Sequence, residues 1–139
     1  MKFRVESRGT IKGITPREKH VIISISDDVD MQLNDVGSDT TQDVLFLHFH
    51  DTNDYKPGFT TFNVDHADKI LDFYQRYVGE TEMFIAHCYA GMCRSPAVIA
   101  ALQKINMGND DVWFKTKRPN SLVYNILLMR AYERGIYKI

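Results

Sequence analysis

Three stretches of the chain are apolar almost without interruption: residues 20–26 (HVIISIS), 44–50 (VLFLHFH) and 82–87 (EMFIAH). Each is short, and the first two are rich in β-branched or aromatic residues. Such runs read as strands buried on both faces of a parallel sheet. A looser alternation from Phe3 to Ile11 has few apolar positions, Phe3, Val5 and Ile11, and predicts an edge strand. Elsewhere the period changes. Val64, Ala67, Ile70, Leu71, Tyr74, Tyr77 and Val78 recur at three- and four-residue spacing. That is one face of an amphipathic helix, capped by Thr61 or Asn63 and stopped at Gly79. Ala97 to Met107 is apolar nearly all round and predicts the most buried helix. It starts at Ser95-Pro96 and ends at Gly108. Val123, Ile126, Leu127 and Ala131 mark a last helix, begun at Asn120 or Ser121 and ended at Gly135.

The remaining segments are polar. Thr15 to Glu18 is a turn or short helix start, and 27–43 is a loop with at most a short turn of helix. Residues 51–58 form another loop, and 109–119 a short helix followed by a basic turn. Strands alternating with helices predict an α/β domain over residues 1–139, with a central, mostly parallel sheet flanked by helices. Handedness then gathers the loops after the strands along one edge, so Asp51 and Cys88 can meet there.

Composition narrows this further. The chain has 139 residues, 44% apolar and 25% charged, with a net charge of −1. The near-neutral balance argues against a nucleic-acid partner, and no polybasic run or long apolar span argues for a membrane. The first six residues lack the apolar core of a signal peptide. Two close cysteines without an export signal do not form a disulfide framework. The expected setting is the cytoplasm. Asp28, Asp30 and Asp35 lack the alternating ligand pattern of a calcium loop. His48 and His50 alternate on one strand, but no further ligand at zinc spacing accompanies them. No metal and no cofactor are expected.

The chemistry concentrates in one stretch, His87-Cys88-Tyr89-Ala90-Gly91-Met92-Cys93-Arg94-Ser95-Pro96. A strand precedes it and a helix follows. Cys88 falls at the strand end and Arg94 at the helix start. The backbone N–H groups from Tyr89 to Arg94 can then converge on one point at the positive end of a helix dipole. Such a loop holds a tetrahedral dianion. Arg94 adds a two-pronged grip on phosphate oxygens. The same field favours the thiolate of Cys88. Ser95 either donates to the Cys88 sulfur or simply caps the helix. An acid for the leaving group should come from the 51–58 loop.

His-Cys, five residues, Arg-Ser resembles the phosphate loop of the cysteine-based protein tyrosine phosphatases. The leading His87, the Gly91 position and the mid-chain placement are most similar to the dual-specificity branch. The resemblance implies hydrolysis of a phosphomonoester through a cysteinyl-phosphate: Cys88 as nucleophile, and Tyr89, Ala90, Gly91, Met92, Cys93 and Arg94 around the phosphate. Phe49-His50-Asp51 resembles the segment that carries the family's acid, so Asp51 is the first choice and Asp54 its rival. His87 would shape the loop from behind, with Ser95 beside the nucleophile. Lys115 to Asn120 resembles the segment before the last helix. The implied substrate is a phosphorylated protein or peptide, and the expected state a monomer.

Two departures stand out. Cys93 occupies a position where the dual-specificity pattern usually has a small residue such as Ser. Low-molecular-weight tyrosine phosphatases carry a second cysteine there, and that similarity implies a protective Cys88–Cys93 disulfide; the alternative is a small apolar filler. Positions 89, 90 and 92 carry no Lys, unlike the basic loops of phosphoinositide phosphatases. Three other readings remain. An RNA 5′-triphosphatase of the same superfamily fits the charge poorly, and a rhodanese-like sulfurtransferase usually has a shorter loop. A catalytically weak phosphopeptide-binding module would be expected to lose Cys88 or Arg94, and both are present.

Overall fold

A computed structural model describes all 139 residues. Four strands form one sheet: β1 (Lys2–Ser7), β2 (His20–Ser26), β3 (Thr41–His48) and β4 (Met83–Cys88). Their order is β1-β4-β2-β3, and every pairing is parallel. The expected mostly parallel sheet is therefore wholly parallel. β2 and β4 occupy the middle, and every residue of both is buried. Their near-continuous apolar runs follow from that, because both faces are covered.

Four helices complete the chain: α1 (Val64–Tyr77), α2 (Arg94–Met107), α3 (Asp111–Thr116) and α4 (Ser121–Glu133). Successive residues of a strand point to opposite faces. Val21, Ile23 and Ile25 of β2, with Phe84, Ala86 and Cys88 of β4, join the large core with α1, α2 and α4. Ile22, Met83 and Ile85 turn the other way and pack with Ile11 and Leu33 in a smaller cluster. Two short 3₁₀ turns, Ile11–Gly13 and Val29–Met31, lie in the loops on that side.

Local boundaries follow the expected signals with small shifts. β1 is an edge strand but stops at Ser7, and Ile11 opens a 3₁₀ turn instead. β3 starts three residues earlier than its apolar run. Asn63 caps α1 by accepting from the Asp65 and His66 N–H groups. Val64 is exposed, so the apolar face of α1 begins at Ala67. In α2, Arg94 to Leu102 are all buried, whereas the helix emerges from the core beyond them and Met107 is exposed. Gly108 ends α2 and Gly135 follows α4, both at positive φ. No helix is long and apolar enough to cross a membrane.

Candidate active site

Parallel strands deliver their C-terminal ends to one edge. There Ser26 ends β2, His48 ends β3 and Cys88 ends β4. The residues just beyond them line a cleft of about 370 Å³: Asp27 after β2, His50 and Asp51 after β3, and the loop from Cys88 to Arg94 after β4. Phe59 closes one side, with its ring stacked on His50 at 4.7 Å.

The loop's shape is set by where its carbonyls go. The Tyr89 carbonyl accepts from the Arg8 N–H at 3.0 Å. The Met92 carbonyl accepts from the Arg118 N–H at 2.9 Å, and that of Cys93 from the Asn120 N–H at 2.9 Å. A trans peptide is planar, so a carbonyl and the following N–H point in opposite directions. Anchoring those carbonyls outward turns the N–H groups of Ala90, Cys93 and Arg94 the other way. None of the N–H groups from Tyr89 to Cys93 donates to any group of the chain. Five donors of one loop are thus left for a ligand, beside an α2 first turn that contains no acidic residue. Such an array suits an anion.

Gly91 makes this path possible. Its φ is 70°, and a Cβ there would lie 3.0 Å from the Glu6 carbonyl oxygen and 3.2 Å from the Ser7 nitrogen. The loop rests directly on the backbone of β1, and only glycine fits.

Cys88 is 3% exposed, with its sulfur 3.1 Å from the Ser95 hydroxyl. Ser95 does not cap α2; Cys93 stands at the N-cap position, without a side-chain cap. Arg94 is buried yet lines the cleft. Its Nη1 donates to Asp27 Oδ1 at 2.7 Å and to the Phe49 carbonyl at 2.7 Å. The other guanidinium N–H groups meet no partner in the chain. One edge of the fork is therefore fixed by the protein, and the rest is available to a bound oxyanion.

Asp51 lines the cleft, and Asn120 Nδ2 donates to its Oδ1 at 2.8 Å. Asp54 lies outside the lining; its carbonyl accepts from the Thr52 hydroxyl. Cys93 is half-buried and lines the cleft, so it is not a core filler. Burial raises its thiol pKa, and the negative charge of the Asp51 carboxylate raises it further. Cys88 and Cys93 are both free thiols. His87 lies behind the loop, with Nε2 2.6 Å from the Ser24 hydroxyl. Burial pushes its pKa down to about 4, and the Arg8 and Arg94 charges act in the same direction. The ring is neutral at pH 7. Its Nδ1 is buried without a well-aligned partner, although the Cys88 backbone is close by. His48 and His50 do not act as a pair: His48 meets the Gln32 side chain, while His50 Nδ1 accepts from the Thr60 N–H.

Sequence reasoning missed Asp27, the Phe49 carbonyl and Arg8. Asp27 was part of a polar segment read as solvated loop. The available signal was its place directly after a strong strand, at the edge where Cys88 and Asp51 also fall. The Lys115–Asn120 segment contributes through backbone N–H groups and the Asn120 amide.

Comparisons with protein-family models and with curated proteins give no match. Solved structures do match. PTPMT1 in complex with PI(5)P aligns with a TM-score of 0.59 at 10% identity, covering 96% of this chain and 92% of that one. DUSP15 gives 0.56 at 19% identity, covering 85% and 74%. Tk-PTP in the active form gives 0.55 at 20% identity, covering 94% and 88%. With a parallel sheet in this order and a strand–loop–helix cradle at its C-terminal edge, the chain has the fold of the cysteine-based tyrosine phosphatases, in its dual-specificity form.

Proposed function

We propose that this chain is a protein tyrosine or dual-specificity phosphatase working through a cysteinyl-phosphate. One observation supports the reading: the N–H groups of residues 89–93 find no partner in the chain, and Cys88 and Arg94 line the same cleft as that loop. The phosphoryl oxygens sit in that cradle, where donors placed in advance stabilise the charge spread over them in the transition state. The Cys88 thiolate attacks phosphorus in line. The P–O bond to the leaving group breaks, and Asp51 gives its proton to the departing oxygen. Water then attacks the cysteinyl-phosphate, Asp51 takes its proton, and the P–S bond breaks. The Ser95 hydroxyl, 3.1 Å from the sulfur, donates to the thiolate as it leaves. Phosphate is released.

The substrate is a phosphorylated protein or peptide. Tyr89, Ala90 and Met92 supply no cation to the loop, which counts against a phosphoinositide.

The test is Cys88→Ser, assayed without metal and with a chelator present. The wild type is expected to hydrolyse aryl phosphates and phosphotyrosine peptides under these conditions. The variant is expected to lose turnover and still bind a phosphopeptide, because the cradle does not depend on sulfur. Turnover by Cys88→Ser at near wild-type rate, or wild-type activity that needs an added divalent cation, would sink the mechanism.

A further inference from the structure

Arg8 is the only arginine shielded from solvent that meets no carboxylate. Arg94, Arg130, Arg134 and Arg4 are each buried or half-buried, and each pairs with an Asp or Glu. The arginines that lack such a partner, Arg17, Arg76 and Arg118, are exposed. Arg8 is half-buried and doubly anchored. Its backbone N–H donates to the Tyr89 carbonyl, and its Nη1 donates to the Met31 carbonyl. A guanidinium has five N–H donors, so most of the fork remains free.

Its surroundings connect to the cleft. A narrow hollow bounded by Arg8, Asp27, Met31, Tyr89 and Arg94 shares Asp27, Tyr89 and Arg94 with the Cys88 cleft. A depression of about 540 Å³ is lined by Arg8, Gly9, Lys12, Leu33 and Tyr89. Tyr89, 63% exposed, belongs to all three. Arg8 and Lys12 therefore lie across Tyr89 from the Cys88 cleft. Asp27 is engaged with Arg94, Glu6 with Arg4, and exposed Asp35 with Lys12 at 3.2 Å. The last pair is solvent-exposed on both sides and easily exchanged.

We propose that Arg8 and Lys12 form a second anion subsite, which takes an acidic side chain of a phosphopeptide next to the phosphorylated residue. The proposal rests on the phosphopeptide reading above. Arg8 supplies a fixed fork for a carboxylate, and a substrate carboxylate displaces Asp35 from Lys12. Fixing the fork in advance lowers the ordering cost of the contact.

The test uses two phosphotyrosine peptides that differ only in Glu or Gln beside the phosphotyrosine. The readout is the ratio of their kcat/KM values. The same ratio is read from Kd on the Cys88→Ser background, so the subsite is tested even if hydrolysis fails. Turnover of a small aryl phosphate checks the hydrolase reading separately. The wild type is expected to favour the Glu peptide by about threefold to tenfold. Lys12→Ala and Arg8→Gln should bring the ratio towards one. Asp35→Asn, which frees Lys12, should raise it. Lys12 and Asp35 are exposed, so their variants should fold even if Arg8→Gln does not. A wild-type ratio of one, or a ratio unchanged in Lys12→Ala and Asp35→Asn, would overturn the proposal. So would phosphoinositide vesicles turned over faster than either peptide in an Arg8-dependent way.

Discussion

Asp51 is held at the cleft by the Asn120 amide, which donates to its Oδ1. That tie fixes where its carboxyl points. A proton donor must be within reach of the leaving oxygen before its acidity matters. Asp51→Asn is therefore expected to slow alkyl and phenyl phosphates by about 10²–10⁴-fold while sparing activated aryl phosphates. Asp54→Asn should leave both classes close to wild type. Measuring kcat against leaving-group pKa for each variant checks this, and the reverse pattern would assign the acid to Asp54. Sequence alone could not separate the two aspartates, three residues apart in one polar loop. Only the cleft lining distinguishes them. Cys93 is similar: the sequence offered a redox partner or a core filler, and the fold puts it in the cleft lining with Asp51. Burial and the negative charge of Asp51 disfavour the Cys93 thiolate.

At the scale of elements, the unit is β4, its loop and α2, with β1 as the floor. Gly91 is the point of closest approach. Gly91→Ala must both hold a positive φ and push a Cβ towards the Glu6 carbonyl. It is expected to destabilise the protein by about 1–3 kcal/mol and to weaken inhibition by inorganic phosphate. Gly13→Ala is the control, because a Cβ at Gly13 meets nothing within 4 Å. Urea midpoints and phosphate inhibition constants measure both effects. Equal behaviour of the two variants would mean that the loop tolerates displacement from β1. The strand–loop–helix order was legible from the apolar run before Cys88 and the Pro and apolar run after Arg94. The clamps from Arg8, Arg118 and Asn120 were not, because they use backbone N–H groups, which carry no sequence signature.

For the molecule as a whole, the buried imidazole of His87 ties stability to pH. Its folded pKa is about 4, against roughly 6.5 in the unfolded chain. Between those values the unfolded state binds a proton that the folded state refuses. Stability from this group is therefore complete above about pH 6.5 and is lost as pH falls towards 4. The full span corresponds to about 3 kcal/mol. His66, also lowered by burial, adds in the same direction. Urea unfolding at pH 7 and pH 5 should show a lower midpoint at pH 5, and His87→Gln should flatten that difference. A midpoint in His87→Gln that is as pH-dependent as in the wild type would place the effect elsewhere.

What the sequence determined by itself was whatever follows from neighbours along the chain. Runs of β-branched residues specify strands buried on both faces. A 3.6-residue repeat specifies α1, and the apolar runs before Cys88 and after Arg94 specify a strand, a loop and a helix. These are local properties, and their physical causes act over a few residues. The tertiary structure decided the rest. Which aspartate reaches the cleft depends on the course of the loop after β3. Asp27 meets Arg94 only because β2 and β4 lie side by side in the sheet, although 67 residues separate the two in sequence. Arg8 reaches the loop because β1 pairs with β4, a strand far along the chain that nothing in the local sequence of β1 points to. Such contacts arise from strand order, and strand order is fixed by the packing of the whole core rather than by any one segment.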